Sequence, residues 1–239
     1  MRLLISVRDA NEAAKAATGG AEIVDAKEPH GGSIAPVTPA VLHAIQNAVP
    51  APLRLSAALG DVASTADVAR AFADLPARLS FVKLGFRGIK EPRQVESLLA
   101  EAAWRAVLSP GHPAVIAVAY ADHVSASSLR PEAFPALIFR SGAQGLLIDT
   151  CFKDAGTLFD LLETEALAGI GATLAADELT FAVGGSLGPG HIRAAADTGA
   201  TIFGVRGSVC RGGRRGSVEV DLVRELAEAM ASGRAPAAS

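Results

Sequence analysis

The sequence predicts a single-domain (β/α)8 barrel, the TIM-barrel fold. Short runs of apolar and β-branched residues alternate eight times with stretches rich in alanine and leucine. The runs are almost continuously apolar, which is typical of parallel strands buried under helices. The length, 239 residues, is one that α/β barrels use for a single domain.

The strands are predicted, in chain order, at 3–7, 22–27, 53–59, 80–85, 114–122, 145–150, 180–185 and 201–207. Helices are predicted at 10–20, 38–49, 66–75, 92–107, 130–143, 155–179, 189–200 and 220–232. Several helices stop at a glycine directly before an apolar strand, as in ATGGAEIV, RSGAQGLLI and DTGATIFGV. We therefore expect one barrel domain over residues 1–231, followed by a disordered C-terminal tail at 232–239.

A doubly wound open sheet is the rival architecture. That fold usually carries a G-x-G-x-x-G turn after its first strand. Here the first strand is followed by VRDANEAA, which contains no glycine. The barrel is therefore favoured.

Composition and charge exclude several classes of function. The chain has 22 Lys and Arg against 25 Asp and Glu, and its only basic run is RGGRR at 211–215, so we expect no nucleic-acid partner. Cys151 and Cys210 are too far apart in sequence for a C-x-x-C motif, and the histidines lack ligand spacing, so we expect no metal and no cofactor. The absence of a signal peptide or an 18-residue apolar run predicts a cytoplasmic protein without membrane contact.

Charged residues gather at the predicted ends of the even-numbered strands. In a barrel these carboxyl ends meet at the active-site face, and side chains from alternate strands share a layer. Of the five lysines, only Lys15 and Lys90 lie elsewhere. Taken singly, each charge could be a surface ion pair, a lysine extending to water between helices or a helix cap. The predicted catalytic cluster is Asp25, Lys27, Lys83, Asp149 and Lys153.

A lysine in such a cluster favours imine chemistry. Burial and a neighbouring cation both disfavour the ammonium form, and a neutral amine attacks a carbonyl. Nearby carboxylates or amines can then carry the protons that such chemistry requires. The pattern indicates a class I aldolase type of reaction.

Two glycine-rich stretches predict a phosphate site at the ends of the last two strands. They are GGSLGPGH (184–191) and GVRGSVCRGG (204–213), where barrels often bind phosphate through backbone N–H groups. A hydrolase pair of Ser186 and His191 is disfavoured because no G-x-S-x-G pattern surrounds the serine. Tyr120 and Asp122 could line the mouth or be structural. The phosphate-binding candidates are Gly185, Ser186, Arg206 and Gly207.

The motifs DAKEPHGGS, VKLGFRG, LLIDTCFKD, GGSL and GVRGSVCRGG, in this order, resemble the blocks of a known family. It is the (5-formylfuran-3-yl)methyl phosphate synthase family, also called 4-(hydroxymethyl)-2-furancarboxaldehyde phosphate synthase. The resemblance runs from Met1 to about Ala229 and departs from the family at HGGSIAPVTP and FRG. It implies condensation of two glyceraldehyde 3-phosphates in the biosynthesis of a methanofuran-type one-carbon carrier.

Residue by residue, the resemblance makes Lys27 the imine-forming lysine and Asp25, Lys83, Asp149 and Lys153 the proton-handling groups. It also implies a homo-oligomer. Three other readings stay open: another Schiff-base phosphosugar aldolase or isomerase, a protein that binds a phosphometabolite without turnover, and a lysine that binds pyridoxal phosphate.

Overall fold

Eight parallel strands close into a barrel in the computed structural model, which describes residues 1–233. Each strand pairs with the next, and β8 pairs with β1. The predicted (β/α)8 fold is confirmed. The strands are β1 Arg2–Val7, β2 Ile23–Ala26, β3 Arg54–Asp61, β4 Leu79–Gly85, β5 Ala114–Tyr120, β6 Gly145–Asp149, β7 Thr180–Val183 and β8 Ile202–Val205.

Helices follow the strands and cover the outside of the barrel. They are α1 Ala10–Gly19, α2 Pro39–Ala48, α3 Thr65–Ala71, α4 Pro92–Leu108, α5 His123–Ala126, α6 Phe134–Ser141, α7 Leu158–Leu161, α8 Thr164–Ala176, α9 Ile192–Asp197 and α10 Val220–Ser232. Short 3-10 turns occupy Pro131–Ala133, Pro189–His191 and Gly207–Val209. After β8, Cys210–Arg211 (β9) and Ser217–Val218 (β10) form a small antiparallel hairpin.

The predicted glycine stops are present. Gly20, Gly142 and Gly199 follow α1, α6 and α9 with φ values of 102°, 78° and 76°. Glycine adopts this left-handed backbone without the steric cost that a Cβ brings. These stops return the chain to the start of the next strand.

Strand alternation divides the buried residues into two layers. Outward-facing residues such as Ile5, Val24 and Val82 pack under the helices. The inward-facing residues form a second cluster inside the barrel. This cluster includes Leu4, Ile23, Phe81, Ile116, Leu147 and Ile202. The same alternation turns Asp25 and Lys83 inward, because they lie two residues beyond Ile23 and Phe81.

Two local features differ from the sequence-based prediction, and the predicted tail is covered only at its first two residues. The helix predicted over 155–179 is two helices, because Leu162 and Glu163 adopt extended backbone between α7 and α8. The β9–β10 hairpin was not predicted, since strands of two residues carry no period-2 pattern. The predicted tail begins at Ser232, which is the last residue of α10, and residues 234–239 lie outside the described residues.

Within residues 1–233, no helix has both the length and the apolar character that crossing a bilayer would require.

Candidate active site

A cavity of about 310 Å³ opens at the carboxyl ends of the strands and extends into the barrel. Its deep walls are apolar and come from inward-facing strand residues such as Leu4, Phe81, Ile116 and Ile202. Its mouth is polar and includes Lys27, Lys83, Asp149 and Lys153. The structure therefore brings the predicted charged residues to one end of the barrel.

Asp25 and Lys83 form a buried ion pair at the inner end of this cluster. The Lys83 Nζ lies 2.6 Å from Asp25 Oδ2, and their side chains are 5% and 0% exposed. Asp25 is in register with Ser6 and Ser56 on the two neighbouring strands, and Ser6 Oγ donates to Asp25 Oδ2 at 2.9 Å. Asp25 Oδ1 and Ser56 Oγ are buried without a hydrogen-bond partner in the described chain. Buried polar atoms of this kind are rare and need an explanation, such as a ligand or a water.

Lys27 lies one residue beyond β2, and its backbone N–H donates to Val7 O at 2.9 Å. Its Nζ is 3.7 Å from Asp149 Oδ2, a longer contact than the Lys83 pair makes. Burial lowers the pKa of the Lys27 amine from 10.5 to about 8, with repulsion from Lys153 and Lys83 adding to the shift and Asp149 opposing it. Lys27 is thus a buried amine that loses its proton more easily than an ordinary lysine.

Asp149, at the end of β6, connects Lys27 to Lys153. The Lys153 Nζ donates to Asp149 Oδ1 at 2.6 Å and to Thr150 O at 2.5 Å. Burial alone would raise the pKa of Asp149, but attraction from Lys153 and Lys27, together with hydrogen bonds from Lys153 and the Thr150 amide, holds that pKa below its usual range. Asp149 is therefore an ionised carboxylate between two amines. Ser33 Oγ also lies 3.2 Å from Asp149 Oδ2.

The loop that carries Lys153 is held in place by Asp122, which follows the neighbouring strand β5. The Asp122 carboxylate accepts the Cys151 and Phe152 N–H groups at 2.7 and 2.8 Å. Tyr120 is fully buried, and its hydroxyl donates to Asp61 Oδ1 at 2.7 Å. Of the two roles left open for Tyr120 and Asp122, the structure gives both residues the structural one.

The two glycine-rich stretches meet across the mouth and line the same cavity. Gly185 and Ser186 have positive φ values of 101° and 56°, and their N–H groups have no acceptor within the described residues. On the β8 side, Gly207 begins a 3-10 turn, and the buried Ser208 Oγ has no partner in that same part of the chain. Such a pair of loops can receive an anion. His191, by contrast, accepts the Gly188 N–H through Nδ1 at 3.1 Å.

Arg206 lines the cavity, but its guanidinium faces the protein. Its five N–H groups donate to Glu12 Oε1 and Oε2 and to the carbonyls of Ser6, Arg214 and Gly216. Glu12 is itself buried, so this is a fully hydrogen-bonded internal ion pair. Any contribution of Arg206 to phosphate binding is therefore restricted to its backbone N–H.

Sequence reasoning missed four residues that line the cavity and a fifth, Ser33, that contacts Asp149. Ser33 and Ser208 lie inside motifs that the sequence had singled out, and the inward parity of Ser6 and Ser56 on their strands could have found them. No sequence signal distinguishes Arg214 from its basic neighbours. The missed residues are Ser6, Ser33, Ser56, Ser208 and Arg214.

The described residues, 1–233, contain no group of three His, Cys, Asp or Glu side chains that could hold a metal ion. The cysteines are free thiols, and burial raises the pKa of Cys151 to about 11.

Known proteins of similar sequence agree on one family. The family model of 4-HFC-P synthase matches residues 3–227. The chain is 36% identical over 235 residues to the (5-formylfuran-3-yl)methyl phosphate synthase of Methanopyrus kandleri, covering 96% of this chain and 99% of the relative. It is 33% identical over 237 residues to the synthase of the same name from Methanothermobacter thermautotrophicus, covering 97% and 100%.

Solved structures with the same fold are more distant in sequence. Phosphoribosyl anthranilate isomerase from Thermus thermophilus superposes with a TM-score of 0.66 at 19% identity and covers 98% of this chain and 100% of its own. The 3-hexulose-6-phosphate synthase of Salmonella typhimurium gives 0.61 at 13% identity, covering 97% and 99%. These two show the barrel fold alone. The near-complete match to the family model and the two relatives above 30% identity show that the chain belongs to the 4-HFC-P synthase family, that of the (5-formylfuran-3-yl)methyl phosphate synthases.

Proposed function

We propose that this protein condenses two molecules of glyceraldehyde 3-phosphate into (5-formylfuran-3-yl)methyl phosphate. The reaction releases one phosphate and two waters, which balances six carbons and two phosphates against a six-carbon product with one phosphate. It is a carbon–oxygen lyase reaction with an aldolase-like imine, and it supplies the furan of a methanofuran-type one-carbon carrier. The named relatives support the synthase activity.

Lys27 is the nucleophile in this proposal. Its neutral amine adds to the aldehyde carbon of one triose, and loss of water gives the imine. The protonated imine withdraws electrons from the adjacent carbon, so its C–H is acidified and the phosphate on the next carbon can leave. Carbon–carbon bond formation with the second triose, ring closure and loss of two waters complete the furan. Hydrolysis of the imine then consumes the water that its formation released, frees the aldehyde product and restores the Lys27 amine. The cavity observation that carries the proposal is the buried Lys27, whose pKa is lowered to about 8 beside an ionised Asp149.

The two remaining amine–carboxylate pairs supply the proton transfers. Asp149 lies between Lys27 and Lys153, so it can accept a proton from one amine and pass it to the other. Asp25 and Lys83 form the second pair, deeper in the barrel. Repeated elimination needs several such transfers, and the two pairs provide groups that both donate and accept.

The substrate phosphate binds at the facing loops after β7 and β8 in this proposal. The donors to the phosphate are backbone N–H groups, those of Gly185, Ser186, Arg206 and Gly207. The hydroxyl of Ser208 adds a side-chain donor. Glycine at these positions lets the anion approach the backbone closely.

The test is incubation with glyceraldehyde 3-phosphate, followed by product mass, phosphate release and borohydride trapping. We expect a triose-derived mass on the Lys27 peptide, and no label or turnover in Lys27→Arg, because guanidinium stays protonated. Lys153→Ala should slow turnover by roughly two to four orders of magnitude while still permitting some trapping. Lys15→Arg is the matched control, since Lys15 pairs with Glu219 on the outer surface.

Other outcomes would redirect the proposal. A label on Lys153 together with an active Lys27→Arg would exchange the nucleophile and the helper. A single-triose product without phosphate release would indicate another phosphosugar aldolase or isomerase. Tight binding of the triose without turnover or imine would indicate a non-catalytic binding protein, and a yellow purified protein would indicate pyridoxal phosphate.

A further inference from the structure

Arg214 is a second arginine at the mouth, and its environment differs from that of Arg206. It lies in the turn between β9 and β10, with its backbone packed against Gly207. Its guanidinium donates to the carbonyls of Pro29 and Gly32, in the loop that begins with Lys27. Arg214 thus spans the mouth from the proposed phosphate loops to the loop of the proposed nucleophile.

The charge of Arg214 is only partly compensated. Its two acceptors are neutral carbonyls, and no carboxylate among residues 1–233 lies within ion-pair distance of its guanidinium. Two of its five N–H groups are used, whereas Arg206 uses all five and pairs with Glu12. Burial, the largest cause, lowers the pKa of Arg214. Attraction from Asp149 opposes that shift, and repulsion from Arg206 adds to it. A partly buried cation of this kind favours an anionic ligand.

The neighbourhood of Arg214 also contains a buried hydroxyl that has no hydrogen-bond partner within the described residues. Arg214 lines the same cavity as Gly185, Gly207 and Ser208. Ser208 Oγ is buried without a partner in the described chain, and it belongs to the turn that Gly207 begins. A ligand oxygen at this rim would satisfy that hydroxyl, and three guanidinium N–H groups of Arg214 remain unused within the described residues to bind the same ligand.

We propose that Arg214 binds the phosphate group of a phosphate monoester at the mouth of the barrel and selects phosphorylated over unphosphorylated aldehydes. Guanidinium matches phosphate with parallel, charge-assisted hydrogen bonds, which a point charge does not reproduce. Its contacts to Pro29 and Gly32 hold the guanidinium in place before the ligand arrives. The identity of the ligand as a triose phosphate rests on the proposed function.

The experiment compares Arg214→Gln and Arg214→Lys with Arg215→Gln. Arg215 is the matched control, because it lies in the same turn and carries the same charge, but it is exposed and does not line the cavity. Calorimetric titration with inorganic phosphate measures anion affinity. Borohydride trapping measures the half-saturating concentration for glyceraldehyde 3-phosphate and for unphosphorylated glyceraldehyde.

We expect Arg214→Gln to weaken inorganic phosphate binding by about tenfold to a hundredfold, as the loss of charge-assisted hydrogen bonds implies. The half-saturating concentration of glyceraldehyde 3-phosphate should rise by a similar factor, while that of glyceraldehyde stays within about twofold. Arg214→Lys should fall between wild type and Arg214→Gln. Arg215→Gln should resemble wild type throughout.

Three results would overturn the proposal. They are unchanged phosphate affinity in Arg214→Gln, an equal loss for both aldehydes, or an equal loss in Arg215→Gln. An equal loss for both aldehydes would mean that Arg214 only holds the Lys27 loop. Should Arg214→Gln fail to fold, Arg214→Lys decides the question with the same criteria. A wild-type protein without imine or furan product would refute the proposed function, yet the phosphate titration would still decide on Arg214.

Discussion

Lys27 owes its reactivity to its position rather than to any special chemistry of the side chain. With a pKa of about 8, about a tenth of the amine is neutral at pH 7. An ordinary lysine at the same pH is neutral in only about one molecule in three thousand. Burial provides most of this difference, and the surrounding lysines and aspartates adjust it in opposite directions.

The pH dependence of imine trapping follows from these charges. Protonation blocks the amine, so the trapping rate should rise with pH, with a midpoint near 8. Lys153→Met removes a repulsion and should move the midpoint to higher pH, while Asp149→Asn removes an attraction and should move it to lower pH. Borohydride trapping across pH 6 to 10 measures all three profiles, with Lys15→Met as the control. Shifts of both variants in the same direction would contradict the assignment of charges.

At the scale of elements, the loop after β6 is positioned by a neighbour. Asp122 uses both carboxylate oxygens to hold the Cys151 and Phe152 amides, and the Arg87 guanidinium lies 5.0 Å above the Phe152 ring. Lys153 follows directly and reaches back to Asp149. The position of its amine therefore depends on contacts with the β4 and β5 loops as well as on its own strand.

Alanine substitutions at two glycines of α8 are predicted to change the stability of the protein in opposite directions. A Cβ at Gly171 would lie 2.2 Å from the Thr198 carbonyl oxygen, whereas a Cβ at Gly169 would meet no atom within 4 Å. Gly171→Ala should therefore destabilise the protein by about 1–3 kcal/mol, as overpacking does. Gly169→Ala should stabilise it by roughly 0.5–1 kcal/mol, because alanine restricts the unfolded chain. Urea unfolding of both variants measures the difference, and equal effects would contradict the packing of α8 on α9.

At the scale of the whole molecule, the barrel exposes large apolar side chains on one side. Trp104, Val107 and Leu108 of α4 are 56%, 64% and 65% exposed, and Phe139 of α6 is 66% exposed. Arg140 of α6 pairs with Glu96 of α4, so the two helices lie side by side. Clustered exposure of this kind is typical of an association surface.

We expect a homo-oligomer that uses this surface. Sedimentation at micromolar concentration should give a multiple of 24.3 kDa, and Trp104→Lys should shift the protein toward that monomer mass. Val124→Lys is the control, since Val124 is 78% exposed but belongs to α5. A wild-type monomer, or equal dissociation by Val124→Lys, would contradict the expectation.

Much of the fold could be predicted from the sequence because its signals are local. Strand alternation, helix composition and glycine stops can each be recognised within a few residues. Because these signals recur eight times along the chain, together they indicate the barrel. The placement of charges at even strand ends also predicted the cluster, since a barrel brings those ends together. The errors fell where local signals are weak: the break at Leu162 and the two-residue strands of the hairpin.

The sequence by itself determined the barrel and which charged residues stand at its mouth. Only the tertiary structure decided their partners: Lys83 with Asp25, Lys27 and Lys153 with Asp149, and Arg206 with Glu12. It also decided that the Arg206 guanidinium is saturated, whereas Arg214 lines the cavity and uses only two of its five guanidinium N–H groups within the described residues. The physical reason is that these contacts join residues that lie far apart in the chain. Glu12 and Arg206 are 194 residues apart, and nothing in either local sequence tells which arginine of this segment turns inward to meet a buried carboxylate.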